Sequence, residues 1–328
     1  MKIDIHAHYV PRDCFEMKEG DGQVHGPLIT ADPSGQEFVE MYGFKLGPIA
    51  RQLYDPETRV KDMNQARLDM QAVSLSPTNF FYHLDPQLSL KFCRRANDGL
   101  AELVRAYPDR FVGLADVPLQ DAGLAAAELE RAVKQLGFKG VQINSNINGH
   151  NLDEPVFFPF YEKSQELGVP IFIHPHYVVG QERMKKYYLT NLIGNPVDTT
   201  IAVASLIFGG VLEKFPRLKF VFAHAGGCAP YIKGRWDHAY RHGYVVKFDI
   251  PKPPSEYIKT LYFDTIAHYG PALSYLVGNH GADRVVLGSD YPFDMADPDS
   301  VAAVSALSIS AEDKDKIMWG NAADLLGL

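Results

Sequence analysis

Eight short apolar runs, each able to form a buried strand, recur along this chain at residues 2–6, 72–76, 111–117, 140–144, 170–174, 219–223, 261–265 and 284–288. Between them lie amphipathic segments such as 87–106, 121–136 and 155–167. The second of these opens at Asp121, a residue type that caps helix N-termini, and carries apolar residues at helical spacing. Near-continuous apolar strands that alternate with helices form parallel sheets covered by those helices. Eight units match a (β/α)8 TIM barrel, and 328 residues accommodate one such domain, spanning 1–328, with an insertion. An open doubly wound sheet is the alternative, but no Gly-x-Gly-x-x-Gly follows the first run. Residues 9–58 break the alternation and predict an inserted loop or small hairpin after the first strand, lying over the barrel mouth.

Polar residues end several of the runs. His6 and His8 close the first, in Lys2-Ile-Asp-Ile-His-Ala-His8, and two residues apart on a strand they share a face. His174 ends Ile171-Phe-Ile-His174, His224 ends Phe220-Val-Phe-Ala-His224, and Asp290 ends Val285-Val-Leu-Gly-Ser-Asp290. Such residues converge only if the sheet closes on itself, which favours the barrel, whose active sites lie at the carboxyl ends of the strands. His6, His8, His174 and Asp290 then offer three nitrogens and one carboxylate oxygen, a donor set that suits Zn²⁺ first and Mn²⁺, Fe²⁺ or Co²⁺ next. His176 competes with His174 but lies beyond Pro175, farther from the strand body. His224 is read mainly as a general acid/base, with a fifth ligand or a satisfied core residue as alternatives. The fourth run, Gly140-Val-Gln-Ile-Asn144, ends without the lysine that could bridge two metals, so one ion is expected.

Composition excludes several classes. A net charge of −8, without a Lys/Arg-rich run, argues against nucleic acid as a partner. No apolar run approaches the ~18 residues of a membrane span, and Asp4, His6 and His8 interrupt any leading signal segment. Three cysteines without C-x-x-C spacing suit a reducing cytoplasm.

The motifs His6-Ala-His8, Ile173-His174-Pro175, Phe222-Ala-His224-Ala-Gly-Gly227 and Leu287-Gly-Ser-Asp290-Tyr-Pro-Phe293 resemble the branch of the amidohydrolase superfamily that contains metal-dependent decarboxylases. Within that branch the chain is most similar to the 2-amino-3-carboxymuconate-6-semialdehyde decarboxylases. Leu53-Tyr-Asp-Pro56, Val117-Pro-Leu-Gln-Asp121, Gly180-Gln181, Arg183-Met-Lys-Lys186, Gly234-Arg235 and Pro253-Pro-Ser-Glu-Tyr257 extend the likeness over nearly the whole chain, most weakly over 12–47. The resemblance implies a zinc enzyme that decarboxylates a small unsaturated or aromatic carboxylic acid without oxidation. His6, His8, His174 and Asp290 would hold the metal, with His224 and Asp290 as the catalytic pair. It further implies a homodimer in which Arg235 enters the neighbour's site, with Tyr187 as an aromatic wall; Phe293, Lys45 and Arg51 are the other candidate substrate contacts. Read without the resemblance, Arg235 is a solvated helix residue, while Trp236 is a candidate for an interface. One departure bears on the substrate. Gly47, ahead of Pro48-Ile-Ala-Arg-Gln-Leu-Tyr-Asp-Pro56, stands where that group carries a carboxylate-binding arginine, and the shifted Lys45 and Arg51 do not reproduce a bidentate clamp. Hydrolysis or hydration at an amide, lactone or C–C bond is the rival chemistry, and a catalytically silent binding protein is the remote one.

Overall fold

The computed structural model describes residues 1–18, 24–41, 44–46, 50–243 and 248–328. Eight strands form one sheet: β1 (Ile3–Tyr9), β2 (Met70–Leu75), β3 (Phe111–Ala115), β4 (Gly140–Asn144), β5 (Ile171–His174), β6 (Phe220–Phe222), β7 (Tyr262–Asp264) and β8 (Val285–Val286). Their order in the sheet is their order in the chain, and each adjacent pair is parallel. The chain after β8 returns to β1. Ile5 N–H donates to the Leu287 carbonyl at 2.9 Å, Asp290 N–H to that of His6 at 2.8 Å and His8 N–H to that of Tyr291 at 2.8 Å. These bonds close the expected barrel.

The helices follow from local chemistry. Asp85 accepts from Gln87 and Leu88 N–H ahead of Pro86, which starts the helix Pro86–Ala106. Asp121 caps Ala122–Leu136 through Leu124 N–H at 3.0 Å, and Gly137, at φ 77°, ends it in the left-handed conformation that glycine adopts freely. One large apolar core joins strands to surrounding helices; a second gathers Ile3, Ile5 and Val286 against Ala322, Leu325 and Leu326 of the C-terminal helix Asn321–Leu326. Among the described residues, no helix is long and apolar enough to cross a membrane.

The insertion holds more than the expected small hairpin. Met17–Lys18 pairs antiparallel with Val24–His25, while Leu28–Ala31, Glu37–Met41 and Phe44–Leu46 form a three-stranded antiparallel sheet. A short helix, Ala50–Tyr54, follows. The antiparallel pair Leu28–Ala31 and Glu37–Met41 is the expected hairpin, whereas Met17–Lys18, Val24–His25 and Phe44–Leu46, of two or three residues, are too brief to show periodicity in sequence. The segment is tied to β1 by Val10 N–H on the Leu53 carbonyl at 2.9 Å and by the Tyr9 hydroxyl on the Tyr54 carbonyl at 2.8 Å.

Candidate metal centre and active site

β1 runs past its expected end to Tyr9 and is buried throughout, His6 and His8 included. A bulge sets their position: Asp4 lies opposite Gln71 but Ala7 opposite Val73, so β1 fits one extra residue between those points. The buried Asp4 carboxylate stabilises the irregularity, accepting His6 N–H at 3.0 Å, the Ser289 hydroxyl at 2.6 Å and Gln71 Nε2 at 2.9 Å. Burial outweighs these hydrogen bonds and raises the Asp4 pKa to about 6.

Three imidazoles are oriented alike. His6 Nδ1 lies 2.7 Å from Asp264 Oδ2, His8 Nδ1 3.3 Å from the Leu75 carbonyl and His174 Nδ1 2.9 Å from the Pro175 carbonyl. Each acceptor fixes the proton on Nδ1 and leaves a lone pair on Nε2. Those Nε2 atoms converge on one oxygen, Asp290 Oδ1, at 3.1 Å for His6, 3.1 Å for His8 and 3.8 Å for His174. His6 and His8 Nε2 are themselves 3.1 Å apart. Lone pairs and an anionic oxygen so arranged repel one another unless a cation lies among them. For ligands about 2.1 Å from an ion, tetrahedral edges are about 3.4 Å, which the observed separations bracket. The residues therefore fit a divalent metal. Although burial opposes it, the Asp290 and Asp264 carboxylates raise the His6 pKa to about 10, a demand for positive charge that a metal ion would meet in place of a proton, whereas burial lowers the His8 pKa to about 4.

His224 differs. Its Nε2 approaches the other oxygen, Asp290 Oδ2, at 3.4 Å, and its buried Nδ1 has no hydrogen-bond partner among the described residues. It joins a grouping in which one ligand atom each from His6, His174, His224 and Asp290 lies within 4.8 Å of the others, so proximity alone does not separate ligand from neighbour. Both His224 (φ 55°) and Asp290 (φ 58°) occupy the left-handed region that side chains with a Cβ rarely adopt. Two successive N–H groups, His224 at 3.0 Å and Ala225 at 2.7 Å, donate to the Asp264 carboxylate.

Asp264 escaped the sequence reading. It ends the seventh apolar run as His174 and Asp290 end theirs, and the same rule applied to β7 finds it. His176 stays outside the grouping, its ring 4.1 Å from that of Tyr177.

His224 also lines a cavity of about 240 Å³, with Asn191, Asn195, Tyr231, Ile266 and His268 among its other walls. That volume suits a small ligand. Phe293 lies outside this lining but packs its ring 5.1 Å from His8. Tyr187 and Arg235 are exposed, Lys45 pairs with Glu40 at 3.7 Å and Arg51 with Glu37 at 3.7 Å; none of the four lines the cavity. Gly47 lies outside the described residues. Trp236, expected to face an interface, is instead buried against Phe208, with ring centroids 5.8 Å apart. Helical period turns it inward while its neighbour Arg235 faces out.

A protein-family model described as Amidohydrolase matches residues 3–328. The 2-amino-3-carboxymuconate-6-semialdehyde decarboxylase of Dictyostelium discoideum is 36% identical over 336 residues, covering 100% of this chain and 92% of the relative. A 2-keto-4-carboxy-3-hexenedioate hydratase of Sphingobium is 27% identical over 348 residues, covering 98% of this chain and 94% of the relative. Among solved structures, a dihydroxybenzoic acid decarboxylase of Polaromonas, with bound manganese and the inhibitor 2-nitroresorcinol, matches with a TM-score of 0.82 at 26% identity. That match covers 100% of this chain and 97% of the other.

Proposed function

Because the chain belongs to the amidohydrolase family, in its branch of metal-dependent decarboxylases, we propose that it removes CO2 without oxidation from a small unsaturated or aromatic carboxylic acid. One observation carries this reading: three Nε2 lone pairs face Asp290 Oδ1, while His224 addresses Oδ2 at the edge of a small cavity. His6, His8, His174 and Asp290 are the proposed ligands of a single Zn²⁺, a donor set that Mn²⁺, Fe²⁺ or Co²⁺ also fits. When bound, the ion supplies Lewis-acid charge that anchors a substrate oxygen and stabilises negative charge as it develops.

The difficulty in losing CO2 is the carbanion left behind. As the bond to the carboxylate breaks, its electron pair stays on the substrate carbon, and His224 delivers the proton that completes the product. Asp290 orients His224 through Oδ2. Phe293 provides an aromatic wall beside His8, and Tyr187, Lys45 and Arg51 are proposed contacts from the surrounding loops. Arg235, exposed on the helix Ala229–His242, is the proposed carboxylate anchor for a neighbouring subunit. With Cys14, Cys93 and Cys228 all unpaired, we place the enzyme in the reducing cytoplasm.

The Sphingobium hydratase favours a second reading, addition of water to an unsaturated acid by the same metal and proton donor. A screen of carboxylated phenols and muconate semialdehydes with metal-loaded enzyme separates the two. CO2 release with a proton in place of the carboxylate supports decarboxylation. A hydrated or hydrolysed product that retains its carboxylate supports the rival.

A further inference from the structure

We propose that Asp264, which lines no part of the cavity, is the positioning residue for both halves of the site, orienting His6 toward the metal and holding His224 in its left-handed turn. The inference rests on reading His6 as a ligand and His224 as the proton donor.

The carboxylate, at the end of β7, is wholly buried and meets four donors. Oδ2 takes His6 Nδ1–H at 2.7 Å and His224 N–H at 3.0 Å, and Oδ1 takes Ala225 N–H at 2.7 Å and Ile266 N–H at 3.0 Å. A neutral imidazole carries one N–H. Placing it on Nδ1 leaves the Nε2 lone pair to face His8 Nε2 and Asp290 Oδ1, each 3.1 Å away. The second half is conformational. His224 and Ala225 both sit at φ 55°, and two successive left-handed residues bearing a Cβ persist only where their surroundings hold them. Successive N–H groups in such a turn form a concavity for an anion, and here Asp264 fills it. One oxygen, Oδ2, thus serves both histidines, so the ligand and the proton donor are referred to a single fixed point.

The test uses the metal-loaded enzyme and Asp264→Asn, which keeps the shape but offers one acceptor and a donor. Metal affinity, read by competition with a chelator, is expected to fall about 10- to 100-fold. Amide exchange at His224 and Ala225 is expected to lose its protection. With saturating metal, kcat on an acid that the wild type decarboxylates is expected to drop while KM holds, because Asp264 does not line the cavity. Adding Ala225→Gly to Asp264→Asn relieves the turn, since glycine adopts positive φ readily, and should restore part of kcat but not metal affinity. Unchanged metal affinity and kcat in Asp264→Asn would overturn the proposal, as would a loss of thermal stability alone. If that variant does not fold, the wild type decides: His224 and Ala225 amides that exchange as fast as exposed loop amides also overturn it. Should the wild type release no CO2 from any acid, the decarboxylase reading falls, whereas metal affinity and amide exchange still decide the role of Asp264.

Discussion

Asp290 divides the central residues by its two oxygens. His6, His8 and His174 face Oδ1 with Nδ1 anchored elsewhere, whereas His224 faces Oδ2 with Nδ1 unanchored. His174→Ala or Asp290→Ala should therefore lose bound metal and activity together. His224→Ala should keep most of the metal, by elemental analysis, while kcat falls by about 10²–10⁴-fold, the usual contribution of a general acid/base. Complete metal loss in His224→Ala would make it a ligand instead. A second buried acid lies away from this chemistry. Among the described residues, Asp116, just after β3, has no well-formed hydrogen bond to either carboxylate oxygen, and burial raises its pKa from 3.8 to about 8. Between those values the folded chain retains a proton that the unfolded chain has released, so stability falls as pH rises through that window and levels off above about 8. Asp116→Asn, neutral at every pH, should flatten that part of the Tm–pH curve and raise Tm at alkaline pH. Superimposable curves for the two proteins would contradict this.

At the scale of strands, a polar residue that ends an apolar run was the readable signal. It marked His6, His8, His174, His224 and Asp290, and the barrel followed from counting the runs. Three things stayed hidden because each depends on a partner that its own few residues do not reveal. The Asp4 bulge is defined by register with β2, the Asp264 clamp by contact with β1 and the turn after β6, and the insertion's two- and three-residue strands by pairing too short to show a period. Gly288 is a fourth case. A Cβ there would lie 3.0 Å from Asp264 Cβ and 3.1 Å from His6 Cβ, so its bare backbone lets β8 approach both. Gly288→Ala removes no ligand, yet should push His6 and Asp264 aside and weaken metal binding, measured by chelator competition. Wild-type affinity in that variant would mean the strand ends adjust without moving the site.

The whole molecule is a ring closed between its first and last strands, and closure makes one end a shared rim on which distant residues meet. That rim is also partly apolar and exposed on one side. Leu192 is 48% exposed and Tyr231 52%, both line the cavity, and Tyr231 stacks on Tyr275 with centroids 4.5 Å apart. Tyr231 belongs to the same helix as Arg235. A surface of this kind supports the proposed dimer, in which Arg235 of one subunit serves the site of the other. Subunit mixing tests it. Arg235→Ala and His224→Ala enzymes should each be nearly inactive as homodimers. After exchange, each heterodimer has one site with His224 from one chain and Arg235 from the other, and one site lacking both. Random exchange of equal amounts makes half the dimers mixed, so about a quarter of wild-type activity should return. Recovery near that level requires a shared site. No recovery despite demonstrated exchange would return Arg235 to the status of a solvated helix residue and leave each site complete within its own barrel.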